Sequence, residues 1–248
     1  MNVSLYHAAS ALNATDRWQE MIAQNLASSG VPGYKKQEIS FSAVQAGQAI
    51  AGPAPVSGTF QLPQARAVTS FQAGELRYTG SPTDAAIDGR GFFEVQLPNG
   101  TSAFTRDGEF RWSAQGQLVT KQGYAVLGDG GPIQLDLDNP APLSIAATGE
   151  VSQGVDMKGR LRITEFNDPS LLKPLSGGLF LGGDPGLAGR EAAESTVRQG
   201  WIEGANTSVV GEMANLITAM RTFEANQRLI QMHDERMSRV ISDLGTPN

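Results

Sequence analysis

Towards the end of this chain one apolar position returns every seventh residue without a break: Val209, Leu216, Phe223, Ile230, Met237 and Leu244. Met213, Met220, Gln227, Asp234 and Ile241 form a companion series four residues on from the first. Alternating spacings of three and four trace one stripe along an α-helix. The pattern therefore predicts a helix from about Ser208 to Leu244. Gly245 and Pro247 stand just past its end, where helix terminators fall. Asn206 or Ser208 is placed to cap its start, and Glu212 lies in its first turn, where the helix dipole favours an acid.

A softer seam opens the chain. Leu5, Ala8, Leu12, Thr15, Gln19, Ile22 and Leu26 keep the same spacings, and no Gly or Pro interrupts them before Gly30, Pro32 and Gly33. A helix is expected from about Asn2 to Ser29. Isolated helices are marginal in water, so the two ends are expected to pack together. One partner does not cover all their apolar surface. Leu229 and Val240 lie off the C-terminal stripe, and Val3, Trp18 and Met21 lie off the N-terminal one. A side chain of this size contributes roughly 1.5–3 kcal/mol when fully buried. The surplus is available to the chain's own middle region or to neighbouring molecules. The candidate assembly contacts are Leu5, Leu12, Ile22, Leu26, Val209, Met213, Leu216, Met220, Phe223, Ile230, Met237 and Leu244.

Between the helices the pattern changes. The first stretch is rich in Gly, Ala, Pro, Gln and Ser and reads as an extended connector. Strands follow. Phe93, Val95 and Leu97 alternate with Glu94 and Gln96, and Pro98-Asn99-Gly100 is a strong hairpin signal. Further turns are expected at Asp107-Gly108, Gln115-Gly116, Gln122-Gly123 and Thr148-Gly149. The expected fold class is α+β. N- and C-terminal helices pack as a coiled-coil-like helical domain, and an antiparallel all-β domain is inserted between them. The expected boundaries are helix 1–30, connector 31–80, β domain 81–185, return connector 186–207 and helix 208–248.

Chemistry is scarce. The 248-residue chain has a formal net charge of -6, which argues against nucleic acid as a partner. It has no cysteine, which excludes disulfides, thiolate metal sites and cysteine nucleophiles. No run approaches the ~18 apolar residues of a membrane span. Met1 to Tyr6 carry no Lys or Arg, and Asp16, Arg17 and Glu20 follow early, so no cleaved signal peptide is expected. The two histidines, His7 and His233, fall one in each helix with no second ligand at metal-binding spacing. Asp129, Asp136 and Asp138 cluster but do not match a calcium loop, and Gly89-Arg90-Gly91 lacks the third glycine of a dinucleotide loop. No catalytic residue, cofactor or metal is expected. Two other readings stay open. One is a secreted β-domain binding module or adhesin, which would be a folded monomer with ordered ends. The other is a hydrolase with paired carboxylates.

Three motifs carry a resemblance. Leu5-Tyr6-His7-Ala8-Ala9-Ser10, Asn25-Leu26-Ala27 and Gly33-Tyr34-Lys35 lie near the start. Asp84-Ala85-Ala86-Ile87-Asp88-Gly89-Arg90-Gly91-Phe92-Phe93, Phe104-Thr105-Arg106-Asp107-Gly108, Gly116-Gln117-Leu118-Val119-Thr120 and Gly123-Tyr124 lie in the middle. Gly200-Trp201-Ile202-Glu203-Gly204-Ala205-Asn206, Glu212-Met213, Arg221, Phe223-Glu224 and Asn226 lie near the end. Together they resemble the bacterial flagellar rod and hook proteins. The chain departs from that pattern at Ser28, Val31-Pro32 and Ala205-Asn206-Thr207. It is too short for a hook subunit. Gly128-Asp129-Gly130-Gly131-Pro132-Ile133 is more similar to the proximal-rod type than to the distal-rod type. The resemblance implies a non-enzymatic subunit of the basal-body rod, crossing the periplasm and transmitting torque. It implies export by the flagellar type III apparatus. The implied partners are proximal and distal rod subunits, copies of the chain itself and the surrounding ring proteins.

Overall fold

The computed structural model describes the backbone of residues 3–50, 57–192 and 194–245, and the side chains of residues 7–40, 42, 64–192, 194–240 and 242. The chain divides into two compact units. One comprises Met1–Ala27, Gln37–Val68 and Ser208–Asn248; the other comprises Ser28–Lys36 and Thr69–Thr207.

In the first unit, α1 (Val3–Ala27) packs against α2 (Val209–Gly245). Ser208 caps α2: its hydroxyl accepts from the Gly211 N–H at 3.4 Å and its carbonyl accepts from the Glu212 N–H at 2.8 Å. Ala14, Thr15, Met21, Ile22 and Asn25 are buried on α1, and Glu212 and Ala219 on α2. Leu216, Phe223, Asn226, Ile230 and His233 are half-buried. The covered stripe of α2 therefore pairs the expected Leu216–Phe223–Ile230 series with Glu212, Ala219, Asn226 and His233. The predicted companions Met213, Met220, Gln227 and Asp234 are exposed, one residue further round the helix. The physical reason is that small and polar side chains fill this seam. Ala219 is fully buried, and Asn226 Nδ2 donates to Thr15 Oγ1 at 3.4 Å, while the Thr15 hydroxyl donates to the Ala11 carbonyl at 2.7 Å. The seam positions of Leu5, Ile241 and Leu244, and the off-stripe Val3, have side chains outside the described residues.

The rest of the first unit lies in what the sequence presents as a connector. β1 (Gln37–Ile50) and β2 (Ser57–Thr69) form a two-stranded sheet, and β1 contacts α1. Asn25 ties them together: its Nδ2 donates to the Gln37 carbonyl at 2.8 Å and its Oδ1 accepts from the Gln37 N–H at 2.9 Å. Met21, expected to be surplus surface, is buried on this side of α1, and Ala65 of β2 is buried as well.

The second unit is the β domain. Its central strand Phe92–Gln96 pairs antiparallel with Ser102–Thr105, with Ala125–Gly128 and, at its start, with Ile163–Phe166. Flanked on both edges, it buries both faces. Phe93 and Val95 enter the main core with Ala103, Phe110, Leu118 and Val126, while Phe92 enters a second cluster with Phe166, Leu172 and Phe180. The expected solvent face is thus absent, and Glu94 is only 8% exposed. The predicted turns at Asn99-Gly100, Gln115-Gly116, Gln122-Gly123 and Thr148-Gly149 each join two paired strands. The expected return connector 186–207 is also corrected. Gly189–Glu191 pairs with Ile163–Phe166, Thr196–Gln199 with Ala85–Asp88, and Trp201–Glu203 with Leu76–Tyr78. Both flanks of the β domain belong to its sheets because their backbone N–H and C=O groups find partners there rather than in water.

Candidate assembly surface and a buried ionic cluster

Gly33 sits at a φ of 67°, in the left-handed region, and a Cβ there would collide with the backbone carbonyl carbon of Arg106 and the amide of Asp107. Only glycine lets these two passages touch. Two residues on, Lys35 turns inward and is 3% exposed. Its ammonium donates to Glu203 Oε1 at 2.5 Å and to the Gln72 carbonyl at 2.8 Å. Glu203, 1% exposed, also accepts from the Gly74 N–H at 2.8 Å and, through Oε2, from Arg106 Nη1 at 3.2 Å. Arg106 extends the network. Nη1 reaches the Ile87 carbonyl at 3.3 Å, Nη2 reaches the Gly89 carbonyl at 2.7 Å, and the guanidinium lies 5.1 Å from the Phe92 ring centre. One carboxylate thus serves two buried cations. Burial lowers the pKa of both Lys35 and Arg106, and the neighbouring Glu203 carboxylate opposes that shift without cancelling it. Beside them, burial raises Asp107 to about 6, although its Oδ1 accepts from the Glu109 N–H at 2.9 Å.

Backbone bonds lace the same passages together. The Gly33 N–H donates to the Glu203 carbonyl at 2.7 Å, and the Asn206 N–H donates to the Tyr34 carbonyl at 3.2 Å. Asn206, one of two expected caps for α2, instead accepts from the Lys36 N–H at 2.6 Å and donates to the Ser70 and Gln72 carbonyls at 2.8 and 3.0 Å.

The candidate assembly residues divide. Ile22 is fully buried, and Leu12, Leu26, Leu216, Phe223 and Ile230 are half-buried in the helical unit's own packing. Val209, Met213, Met220 and Met237 are exposed. Sequence reasoning passed over Val210 and Ile217. With Met213 and Met220 they line one face of α2 at spacings of three and four, and Ile217 is 54% exposed. Leu229, Met232 and Val240 add exposed apolar surface further along. α2 has 37 residues against 25 in α1, so among the described residues it is longer by about 18 Å.

His7 and His233 are half-buried, each on its own helix. Among the described residues no group of His, Asp or Glu is arranged to hold a metal ion, and no helix is long and apolar enough to cross a membrane. Asp136 and Asp138 form a local turn, the Asp138 N–H donating to Asp136 Oδ1 at 3.0 Å, and Asp129 lies apart from them on the wall of an open groove.

Residues 5–35 match the family profile described as flagella basal body rod protein. Residues 86–153 match flagellar hook protein FlgE/F/G D1 domain, and residues 198–244 match flagellar basal body rod FlgEFG protein C-terminal. The flagellar basal-body rod protein FlgG of Borreliella burgdorferi is 31% identical, over 94% of this chain and 96% of the relative. FlgF of Caulobacter vibrioides is 30% identical over 100% of both chains, and FlgF of Escherichia coli is 29% identical over 96% of this chain and 97% of the relative. This chain belongs to the flagellar basal-body rod protein family. Each of the three matched regions of this rod-family chain supplies one member of the buried triad: Lys35 from the first, Arg106 from the second and Glu203 from the third.

Proposed function

We propose that the chain is a structural, non-catalytic subunit of the flagellar rod, of the proximal-rod FlgF type. The exposed faces of α2 pack against helices of neighbouring rod subunits, in the knobs-into-holes manner of a coiled coil, to build a tube that transmits torque across the periplasm. The neighbours are proximal and distal rod subunits and copies of the chain itself. Delivery is by the flagellar type III apparatus, and the surrounding ring proteins are further contacts.

The observation that carries this reading is the apolar face Val210–Met213–Ile217–Met220, left open on a helix that outlasts its partner. Contiguous exposed apolar surface of this kind marks association sites. Ile217→Glu tests it. A charge at a half-exposed position changes the stability of the isolated chain by no more than about 0.5 kcal/mol, yet it is expected to abolish incorporation into rods and motility. A variant that enters basal bodies normally would end the assignment of this face. What supports the FlgF type is the likeness of the sequence Gly128–Ile133 to the proximal-rod type; in the fold Gly131 and Pro132 of this stretch turn back onto Gly128 and Leu127. Relatives of both types match at nearly the same identity. Rescue of a strain lacking FlgF, and not of one lacking FlgG, is the expected result; the reverse would reassign the type.

A further inference from the structure

The buried triad carries a net charge of +1, two cations sharing one carboxylate. Buried charge without full compensation costs several kcal/mol. Arg106 shows where compensation is incomplete: its Nε is buried and has no hydrogen-bond partner among the described residues. Arg106 also borders a cavity of about 340 Å³ in the β domain. Its other lining residues include Phe71, Phe92 and Phe166, together with the exposed Arg90 and Asn167. Arg90 is exposed and has no ion-pair partner among the described residues. Both ionised groups lining this cavity are therefore cationic, and the walls between them are aromatic.

We propose that this cavity receives a carboxylate side chain, Glu or Asp, from a second rod subunit. The inference rests on the rod reading. The volume suits one side chain with an apolar stem rather than a folded element. The charge is complementary to the chain's own surplus of acids, 25 Asp and Glu against 19 Lys and Arg. Aromatic walls cover the methylenes, Arg90 meets the carboxylate at the mouth, and the approach of a negative charge offsets the excess positive charge around Arg106.

The test uses the full-length chain and glutarate as a carboxylate probe, read by the NMR shift of the Arg106 Nε–H. Glutarate is expected to shift this signal saturably, and Arg90→Gln is expected to weaken binding about fivefold. Glutaramide, of the same shape but uncharged, is expected to leave it unmoved. The proposal is overturned if glutarate has no effect, if glutaramide matches it, or if inorganic phosphate binds better, which would mark a general anion site. The absence of cysteine allows a second arm. Arg90→Cys, carrying a photoreactive label, is expected to cross-link in isolated basal bodies to an acid-bearing peptide of another rod subunit. If the chain is present in basal bodies but labels no such peptide, this inference fails and the rod reading stands. If the chain with Arg90 intact is absent from basal bodies, both fail.

Discussion

Removing the charge of Glu203 is expected to be among the most damaging single changes in the β domain. Glu203→Gln keeps size and shape. It leaves Lys35 and Arg106 facing each other, 3% and 5% exposed, with no anion between them. The loss of one partner from a buried ion pair costs about 3–5 kcal/mol, a large share of the 5–15 kcal/mol that holds an ordinary domain together. The lysine offers partial relief, because burial already pulls its pKa down from 10.5 and losing the carboxylate pulls it further. A lysine with a lowered folded-state pKa binds fewer protons when folded than when unfolded, between that pKa and 10.5. Stability therefore rises with pH through that window. Urea unfolding followed by the fluorescence of Trp112 and Trp201, both in this unit, measures the change. Glu203→Gln is expected to lose about 3–5 kcal/mol near neutral pH and to recover part of it at alkaline pH. Lys35→Met added to it is expected to restore stability further. A loss below about 1 kcal/mol, or a double variant weaker than the single one, would refute the argument that uncompensated buried charge sets the penalty.

Asp107→Asn is expected to raise stability at pH 7 by up to about 3 kcal/mol and to change nothing near pH 3. The folded carboxyl holds its proton up to about 6 against 3.8 for the free group, so its burial penalty grows as pH rises through that window and is complete above it; chemical denaturation at the two pH values checks this. Gly33→Ala, forced against the Arg106 backbone at positive φ, is expected to cost more than about 2 kcal/mol, seen as a lower midpoint in the same assay. Phe223→Asp places a charge in the half-buried seam between α1 and α2. It is expected to open the helical pair to protease and block assembly while the β-domain fluorescence transition stays in place.

Much of this was legible in the sequence. Among the described residues α1 ends at Ala27 and α2 starts at Val209, each within two residues of the Ser29 and Ser208 read from the apolar period, because a periodic stripe bounded by glycine, proline and a capping serine leaves little choice. The Asn-Gly, Gln-Gly and Thr-Gly turns were legible for a similar reason, since each needs a residue that tolerates positive φ. The long strands β1 and β2 were not. Gln37–Ile50 and Ser57–Thr69 are rich in Gln, Ala, Ser and Gly, so the short alternations Ile39-Ser40-Phe41-Ser42 and Phe60-Gln61-Leu62 are submerged in a connector-like composition. The inner stripe of α2 was misplaced by one residue because hydropathy favours Met213 and Met220 over Ala219 and Asn226. Close packing selects small side chains, and the greasier ones are left outside. Neither Lys35, Arg106 nor Glu203 announced itself. They stand 97 and 168 positions apart in the pairs they form, and charge alone reads as solvated surface. The available signal was their setting, a charged residue inside each glycine-bearing motif.

That setting explains what the charges do in the β domain. A hydrophobic cluster of equal volume would be about as stable as a buried ion pair, so stability alone does not account for the triad. Its distinguishing property is direction. Glu203 accepts from Lys35, Gly74 and Arg106 at once only when three passages of the chain stand in a single register. The glycines make that register reachable: a Cβ on Gly33 would strike the Arg106 backbone, and one on Gly74 would strike the Gly204 carbonyl. An apolar contact tolerates a slip of an ångström; a carboxylate bonded from three sides does not. The passage that follows α1 and the passage that precedes α2 are thereby fixed side by side, with Gly33 bonded to Glu203 and Asn206 bonded to Tyr34. The three regions that match the rod-family profiles thus meet in one lock within the β domain.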